Sequence, residues 1–364
     1  MTKILIIGAG VFGIHSAIEL AKFGAEITLA EAEGEILAGT SGNSILRIHS
    51  GLHYPRDIET AIQSQNGYKP FLEYYSDSIR LDFDNYYGLA REESKSSKIE
   101  IEQMARNIGI YLEHSDLSTL ASTGINPEIL EAAWRIPEGI VDLNRLKLFY
   151  LSEISQNHVM LKINHRIDEL NMQHGKWLAY SSRNFVGEFD FVVRATHGRD
   201  SIKSNMENLG NQVYEFHLTS MLEISSISKP FGMTVLDGEF ISLLPTGDEE
   251  RFLVYGPGVS ILERSVGVKP PLGWNERLKE SEPSLIESTM VLLGHWFPGF
   301  APYSIVGTRN AIRSVQSGVT KTDRRVTQVK EIAPHFFDIH STKIDHVIEV
   351  GRVLISKILK DRSL

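Results

Sequence analysis

The chain has no cysteine in its 364 residues. That excludes disulfides, thiolate metal sites and catalytic thiols, and it suits a reducing compartment. No apolar run approaches the ~20 residues of a membrane helix, and the apolar stretch at residues 4–7 is too short for a signal peptide. Positive charge is in deficit, with 37 Lys and Arg against 46 Asp and Glu for a net −9. Broad binding to nucleic acid or to an anionic membrane is therefore excluded as an expectation. Internal repeats and low-complexity tracts are also missing. What is present is a globular composition, 42% hydrophobic, in a chain long enough for two domains or one large one. The expectation is a cytoplasmic protein without a membrane insertion.

The first 31 residues carry the strongest signal. Residues 4–7 form a buried apolar strand, Gly8-Ala9-Gly10-Val11-Phe12-Gly13 a turn, residues 14–23 a helix, and residues 26–30 a second strand ending on Glu31. Gly8 permits the tight turn, Gly10 lets the backbone approach a pyrophosphate, and Gly13 lets the helix pack closely on the strand. The helix N-terminus offers unpaired N–H groups and the positive end of its dipole to phosphates. Glu31 is placed to accept both hydroxyls of an adenosine ribose and to repel a 2′-phosphate. Together these predict a dinucleotide site.

Further along, residues 57–78, 92–116, 142–154 and 339–358 show helical spacing of apolar residues, the third N-capped by Asp142. Residues 189–194 are a short strand closing on Ala195-Thr196-His197-Gly198, a second nucleotide-proximal turn. Residues 213–258 alternate as strands, with Asp237-Gly238 marking a hairpin. The predicted fold class is α/β (α+β): a Rossmann-like dinucleotide domain with an inserted substrate domain of mixed or antiparallel sheet. The expected boundaries are 1–78, 142–212 and 301–364 for the first, and 79–141 and 213–300 for the second. The His335-Phe336-Phe337-Asp338-Ile339-His340 run has metal-like spacing but no third clear ligand, so it reads as packing and no metal site is expected. The aromatic run from Gly294 to Phe300 reads as core.

The segment from Gly39 to Asp57 follows the fingerprint with small residues suited to lying against a planar ligand, then His49 and His53 flanking Gly51. This I-H-x-G-x-x-Y element resembles the D-amino-acid oxidase superfamily of FAD-dependent oxidoreductases. Residues 136–142, 190–198, and Gly307-Thr308-Arg309 with Arg313 resemble further family elements, so the likeness spans nearly the whole chain. The stretch Arg47 to Thr60 is similar to the R-x-H-x-G-x-H-Y-P-R-x-x-x-T variant of a bacterial subgroup. Departures are Arg47, His197 within the A-T-G turn, and Ser341-Thr342-Lys343-Ile344 in place of a glycine-rich C-terminal loop.

The resemblance implies FAD as cofactor, bound through Gly8, Gly10, Val11, Phe12, Gly13, Glu31, Thr40, Ser41, Arg47, His49, Ala195, Thr196, His197, Arg309, Ser341, Thr342, Lys343 and Ile344. It also implies dehydrogenation of a C–N or C–OH bond of a small polar substrate, an amino acid, amine or 2-hydroxy acid, with hydride passing to flavin N5. Oxygen, a quinone or another protein would accept the electrons. An alcohol substrate needs a base near pH 7, for which His53 is the candidate, while an amine can enter neutral. Arg47 and Arg313 are candidate anion clamps, with ion pairing as the competing role. Oxidation of a sugar- or nucleotide-linked intermediate, and a non-catalytic FAD-binding scaffold, are the alternatives. The lack of cysteine excludes a cysteinyl link to flavin, and a link through the His49 imidazole stays open. Oligomeric state stays open.

Overall fold

A computed structural model describes residues 1–207, 209, 212–248, 250–318 and 324–361. The chain begins with β1 (Lys3–Ile7), α1 (Val11–Lys22) and β2 (Glu26–Ala30). Four of the five residues of β1 are buried, so the strand reads as a continuous apolar run because both faces are covered. It pairs in parallel with β2 on one side and with Phe191–Arg194 on the other. Chain connectivity thus leaves β1 in opposite directions, and the crevice at its carboxyl end is the place where a doubly wound sheet receives a ligand.

The six-stranded sheet runs in the spatial order Gln328–Ala333, Phe336–His340, Phe191–Arg194, β1, β2, Met160–Lys162. Helix α2 (Ile58–Tyr74) starts at Asp57, whose side chain accepts the Thr60 N–H. The predicted helix over 92–116 is shorter, Lys98–Asn107, opened by a Ser97/Glu100 capping box and closed just before Gly109 at φ +76°. Asp142 caps the helix Leu143–Gln156 as expected. The predicted helix over 339–358 is corrected at its start. Phe336–His340 is a fully buried strand, and the helix proper is Val347–Asp361 after a 3₁₀ turn at Ile344–His346. Gly351 lets that helix approach α1, because a Cβ there would lie 2.9 Å from His15 Nε2.

A nine-stranded sheet forms the other face of the molecule. Its long central strand, Tyr214–Ser225, pairs antiparallel with Ile261–Gly267, Arg251–Tyr255 and Ser304–Gln316. Phe231–Leu236 and Ser242–Pro245 form the hairpin anticipated at Asp237-Gly238, and Phe231–Leu236 also pairs in parallel with Asp84–Ala90. Ser304–Gln316 therefore runs in this sheet, and not with the six-stranded sheet where the boundary at 301 would put it, because its hydrogen-bond partner is Tyr214–Ser225. The helix Trp274–Trp296, which no sequence pattern suggested, packs Leu285, Thr289, Leu293 and Trp296 inward. Trp296, Phe297 and Phe300 join Phe231 and Phe252 in the core, the role expected for this aromatic run. Among the described residues no helix is long and apolar enough to cross a membrane.

Candidate functional site

A cavity of about 710 Å³ runs between the two sheets from the carboxyl end of β1. At that end the turn is built by glycines. Gly8 has φ +100°, and a Cβ on it would lie 2.8 Å from Ala195 O; one on Gly13 would lie 1.9 Å from Gly8 O. Gly10 caps α1 in extended conformation without a side-chain cap bond, and Ser41 Oγ accepts the Val11 N–H at 3.1 Å. Glu31 accepts N–H groups of Ala9 (2.7 Å) and Glu33 (3.0 Å), which fixes its carboxylate at the cavity wall.

His197, with φ +57°, is a strap between the sheets. Its Nε2 accepts the Ser314 N–H (2.9 Å), and Ser314 Oγ donates to its carbonyl (2.7 Å). Its ring stacks on His340 at 5.7 Å, and burial, with the neighbouring His340 and Arg199 acting the same way, holds its imidazole well below the ordinary range. Asp338 accepts from Arg194 (2.7 Å) and from the Tyr214 hydroxyl (3.1 Å), so this segment is tied into the fold by its side chains.

Deeper in, Arg47 is clasped by protein. Its Nε donates to Glu138 (2.8 Å), Nη1 donates to Thr234 Oγ1, and its guanidinium lies 4.2 Å from the centre of the Tyr87 ring. Glu138, fully buried as a side chain, also accepts from Ser50 N and Ser50 Oγ, each at 2.6 Å, and from Tyr87 OH at 3.0 Å. The ion-pair role weighed against an anion clamp is thus the geometry observed for Arg47, with only Nη2 left unpartnered among the described residues.

His49 and His53 face each other with ring centres 4.7 Å apart. Burial, then the charges of Lys343 and Arg47 among others, pull both imidazoles well below the usual range. His49 Nδ1 lies 3.4 Å from Tyr87 Oη, whereas His53 Nδ1 has no partner among the described residues. The Lys343 ammonium sits 4.3 Å from the Tyr54 ring centre. Burial, partly offset by Asp345, lowers it to about 8, while burial raises Asp345 to about 7.

The cavity brings together Gly8, Gly10, Val11, Phe12, Glu31, Thr40, Ser41, Arg47, His49, His53, Ala195, Thr196, His197, Arg313, Ser341, Thr342, Lys343 and Ile344. Gly13 lies behind it, packing α1 on the turn. Arg309 is a correction. It lies on the same strand as Arg313 but four residues away, roughly 13 Å at strand rise, and pairs bidentately with Glu223 (2.9 and 3.0 Å) outside the cavity. Sequence reasoning missed Glu138 and Tyr87, which hold Arg47, and the Arg56–Asp237 ion pair (2.6 Å) at the cavity wall. The only available signal for Glu138 was an acid between Pro137 and Gly139 in an apolar segment.

These residues fit a dinucleotide: a glycine turn that no side chain could occupy, a helix N-terminus whose own Gly10 brings no side-chain cap, a fixed carboxylate, and buried unpartnered polar atoms beyond. A family model described as FAD dependent oxidoreductase (DAO) matches residues 3–337. The chain belongs to this family. Among relatives, an FAD-dependent monooxygenase of Fusarium mangiferae is 24% identical over 366 residues, covering 97% of this chain and 90% of its own. Another from Aspergillus flavus is 22% identical over 255 residues, covering 68% and 58%. Of solved structures, glycine oxidase from Geobacillus kaustophilus superposes with TM-score 0.73 at 14% identity, covering 98% of this chain and 94% of its own. NikD, an unusual amino acid oxidase essential for nikkomycin biosynthesis, gives 0.75 at 12%, covering 97% and 93%. L-α-glycerophosphate oxidase from Mycoplasma pneumoniae, with FAD bound, gives 0.73 at 17%, covering 97% and 94%. At these identities the structural likeness is one of fold. The protein is an α/β FAD-dependent oxidoreductase, and its cofactor is FAD.

Proposed function

We propose that this oxidoreductase dehydrogenates a C–N or C–OH bond of a small polar substrate, an amino acid, amine or 2-hydroxy acid. The six-stranded sheet and its helices would hold FAD, and the nine-stranded sheet would supply the substrate wall. The observation carrying the reading is that one cavity joins the nucleotide turn at Gly8–Phe12 and Glu31 to the imidazoles of His49 and His53 and the guanidinium of Arg313. FAD, when bound, supplies the hydride acceptor.

The rest falls to the chain. The N-terminus of α1 and Glu31 would bind pyrophosphate and ribose. Lys343, ahead of the 3₁₀ turn at Ile344–His346, would favour negative charge on the flavin. His53, neutral at pH 7 with an unpartnered Nδ1, would take the proton of an alcohol. Arg313 has no carboxylate partner among the described residues, and its Nη1 donates to Tyr255 OH at 3.3 Å. Its planar fork suits a substrate oxyanion, and of the two candidate clamps it is the one not claimed by protein.

The test is anaerobic mixing of the holoenzyme with panels of amino acids, amines and 2-hydroxy acids, following loss of flavin absorbance. Rapid bleaching by one class assigns the reaction. In His53→Gln, bleaching by an alcohol should slow by about 10²–10⁴, whereas an amine should lose less and recover at high pH. Undiminished reduction by an alcohol in that variant would remove His53 from the chemistry.

A further inference from the structure

Behind the cavity wall at Ser341 lies a line of titratable side chains that the proposed reaction does not use. Ser341 lines the cavity, and its hydroxyl stands 2.7 Å from Thr327 Oγ1. Thr327 Oγ1 in turn stands 2.5 Å from His346 Nδ1. On the far side of that ring, Nε2 lies between Ser64 Oγ at 3.1 Å and Asp345 Oδ2 at 3.3 Å. Asp345 is wholly buried, and neither carboxylate oxygen has a hydrogen-bond partner among the described residues. Gly67 closes α2 over this turn, since a Cβ there would overlap Asp345 O.

The hydrogen bonds run in one direction. Ser341 Oγ accepts the Lys343 N–H at 3.3 Å, and its own proton goes to Thr327 Oγ1, which is nearer than the alternative acceptor Lys343 O at 3.3 Å. The Thr327 proton is then left for His346 Nδ1, so the imidazole is neutral with its hydrogen on Nε2, towards Ser64 and Asp345. Burial, with the Lys343 charge, holds this imidazole down at about 3, so it hands a proton on and does not keep it. A buried carboxylate without a donor is costly as an anion, and burial raises Asp345 to about 7. The charged and titratable groups bearing on Asp345, His346 and Lys343 are Glu138, Arg47, His49, His53 and Tyr87, all on the cavity side. Ser64 and Gly67, which face the turn from α2, carry no charge.

We propose that Ser341, Thr327 and His346 form a proton relay between the cavity and Asp345, and that Asp345 takes up one proton when the flavin is reduced. This rests on the reading that FAD fills the cavity with residues 341–344 beside the flavin. A hydride leaves the substrate C–H bond and brings two electrons and one proton to the flavin, which adds one negative charge beside Lys343. A proton from the cavity then bonds to Ser341 Oγ, and Ser341 and Thr327 each pass their own onward. His346 receives at Nδ1 and releases from Nε2, and a slight turn of the carboxylate brings Asp345 into line to accept. The O–H formed on Asp345 neutralises the added charge, and each relay member ends with as many protons as it began with.

The holoenzyme is titrated potentiometrically without substrate, and the protons taken up per two electrons are read from the pH dependence of the flavin midpoint potential. Near pH 8, where Asp345 is ionised before reduction, wild type should take up roughly half to one proton more than Asp345→Asn. Near pH 6, where Asp345 already holds its proton, the two should agree. Equal counts at both pH values overturn the proposal. Thr327→Val keeps the acid and removes the link. It should keep the wild-type count yet slow proton uptake after flash photoreduction, followed with a pH indicator, by about 10². Uptake as fast as in wild type overturns the relay. Thr327 is half-buried and valine nearly isosteric, so this variant carries the test even where Asp345→Asn does not fold. Lys343→Met separates the relay from the reading beneath it, because loss of a cation beside the flavin should lower the midpoint potential. An unchanged potential in Lys343→Met would refute the placement of residues 341–344. A lowered potential with equal counts in wild type and Asp345→Asn would refute the relay alone.

Discussion

Replacing Glu138 by Gln should destabilise the protein severely, and the reason can be worked atom by atom. Glu138 Oε2 accepts from Arg47 Nε and Tyr87 OH, and Oε1 from Ser50 N and Ser50 Oγ. An amide keeps one acceptor and turns the other into a donor. Whichever way it is flipped, an N–H then faces a buried donor, either the guanidinium or the Ser50 amide. The Arg47 charge, its side chain 2% exposed, also loses its counter-ion. Removing one partner of a buried pair costs about 3–5 kcal/mol. Urea unfolding of wild type, Glu138→Gln, Arg47→Met and Arg47→Met/Glu138→Leu would measure it. Each single variant should lose about that amount, while the double variant, which leaves no orphaned charge, should be less destabilised than the two single losses summed, though Ser50 N–H and Tyr87 OH still lose their acceptor. Glu138→Gln within 1 kcal/mol of wild type, as ~1 kcal/mol is the usual reach of an exposed pair, would refute the reasoning. It would mean that Arg47 takes its counter-charge from a bound ligand.

Three other outcomes are expected. Glu31→Ala should weaken FAD retention on dialysis, since a charge-assisted hydrogen bond to ribose contributes ~1.5–3 kcal/mol; an unchanged flavin-to-protein ratio would contradict the role given to Glu31. Arg313→Lys should raise KM or lower kcat/KM with the charge intact, because the planar fork is lost; unaltered kinetics would remove the clamp. His15 and His340, buried and held neutral at about 4 against 6.5, bind protons in the unfolded chain before they do in the folded one. Stability is therefore full above pH 6.5 and falls as pH drops towards 4, by on the order of 3 kcal/mol per histidine. His15→Asn keeps an acceptor for the Tyr75 hydroxyl and should flatten part of that slope in urea melts; an unchanged slope would show that His15 is not a source.

The nucleotide end of the cavity was legible because its information is local. The strand, the glycine turn, the helix and Glu31 lie within 31 residues, and each glycine has a steric reason that the coordinates reproduce at Gly8 and Gly13. What was not legible depends on partners far away in sequence. Ser304–Gln316 has an unremarkable strand pattern, and its place in the nine-stranded sheet follows only from pairing with Tyr214–Ser225. Glu138 acquires its role from Arg47, Ser50 and Tyr87, which approach it from 91, 88 and 51 residues away. The misplaced start of the last helix has another cause, since Phe336–His340 is buried on both faces and periodicity alone does not separate a buried strand from a helix.

His197 shows how a departure from a family pattern can carry structure. In the sequence it is an imidazole intruding on a nucleotide turn, and its chemistry draws attention to catalysis. In the fold it sits at φ +57°, followed by Gly198 at +69°. A Cβ on Gly198 would come within 2.8 Å of the Tyr214 ring, so this backbone leaves the second nucleotide strand and turns directly onto the nine-stranded sheet. The imidazole then accepts the Ser314 N–H, one residue from Arg313. A group that must stay neutral to accept that bond is held neutral by burial. The strap thus sets the depth at which Arg313 enters the cavity relative to the glycine turn. If Arg313 holds the substrate as proposed, that depth sets how far the bound substrate stands from the glycine turn.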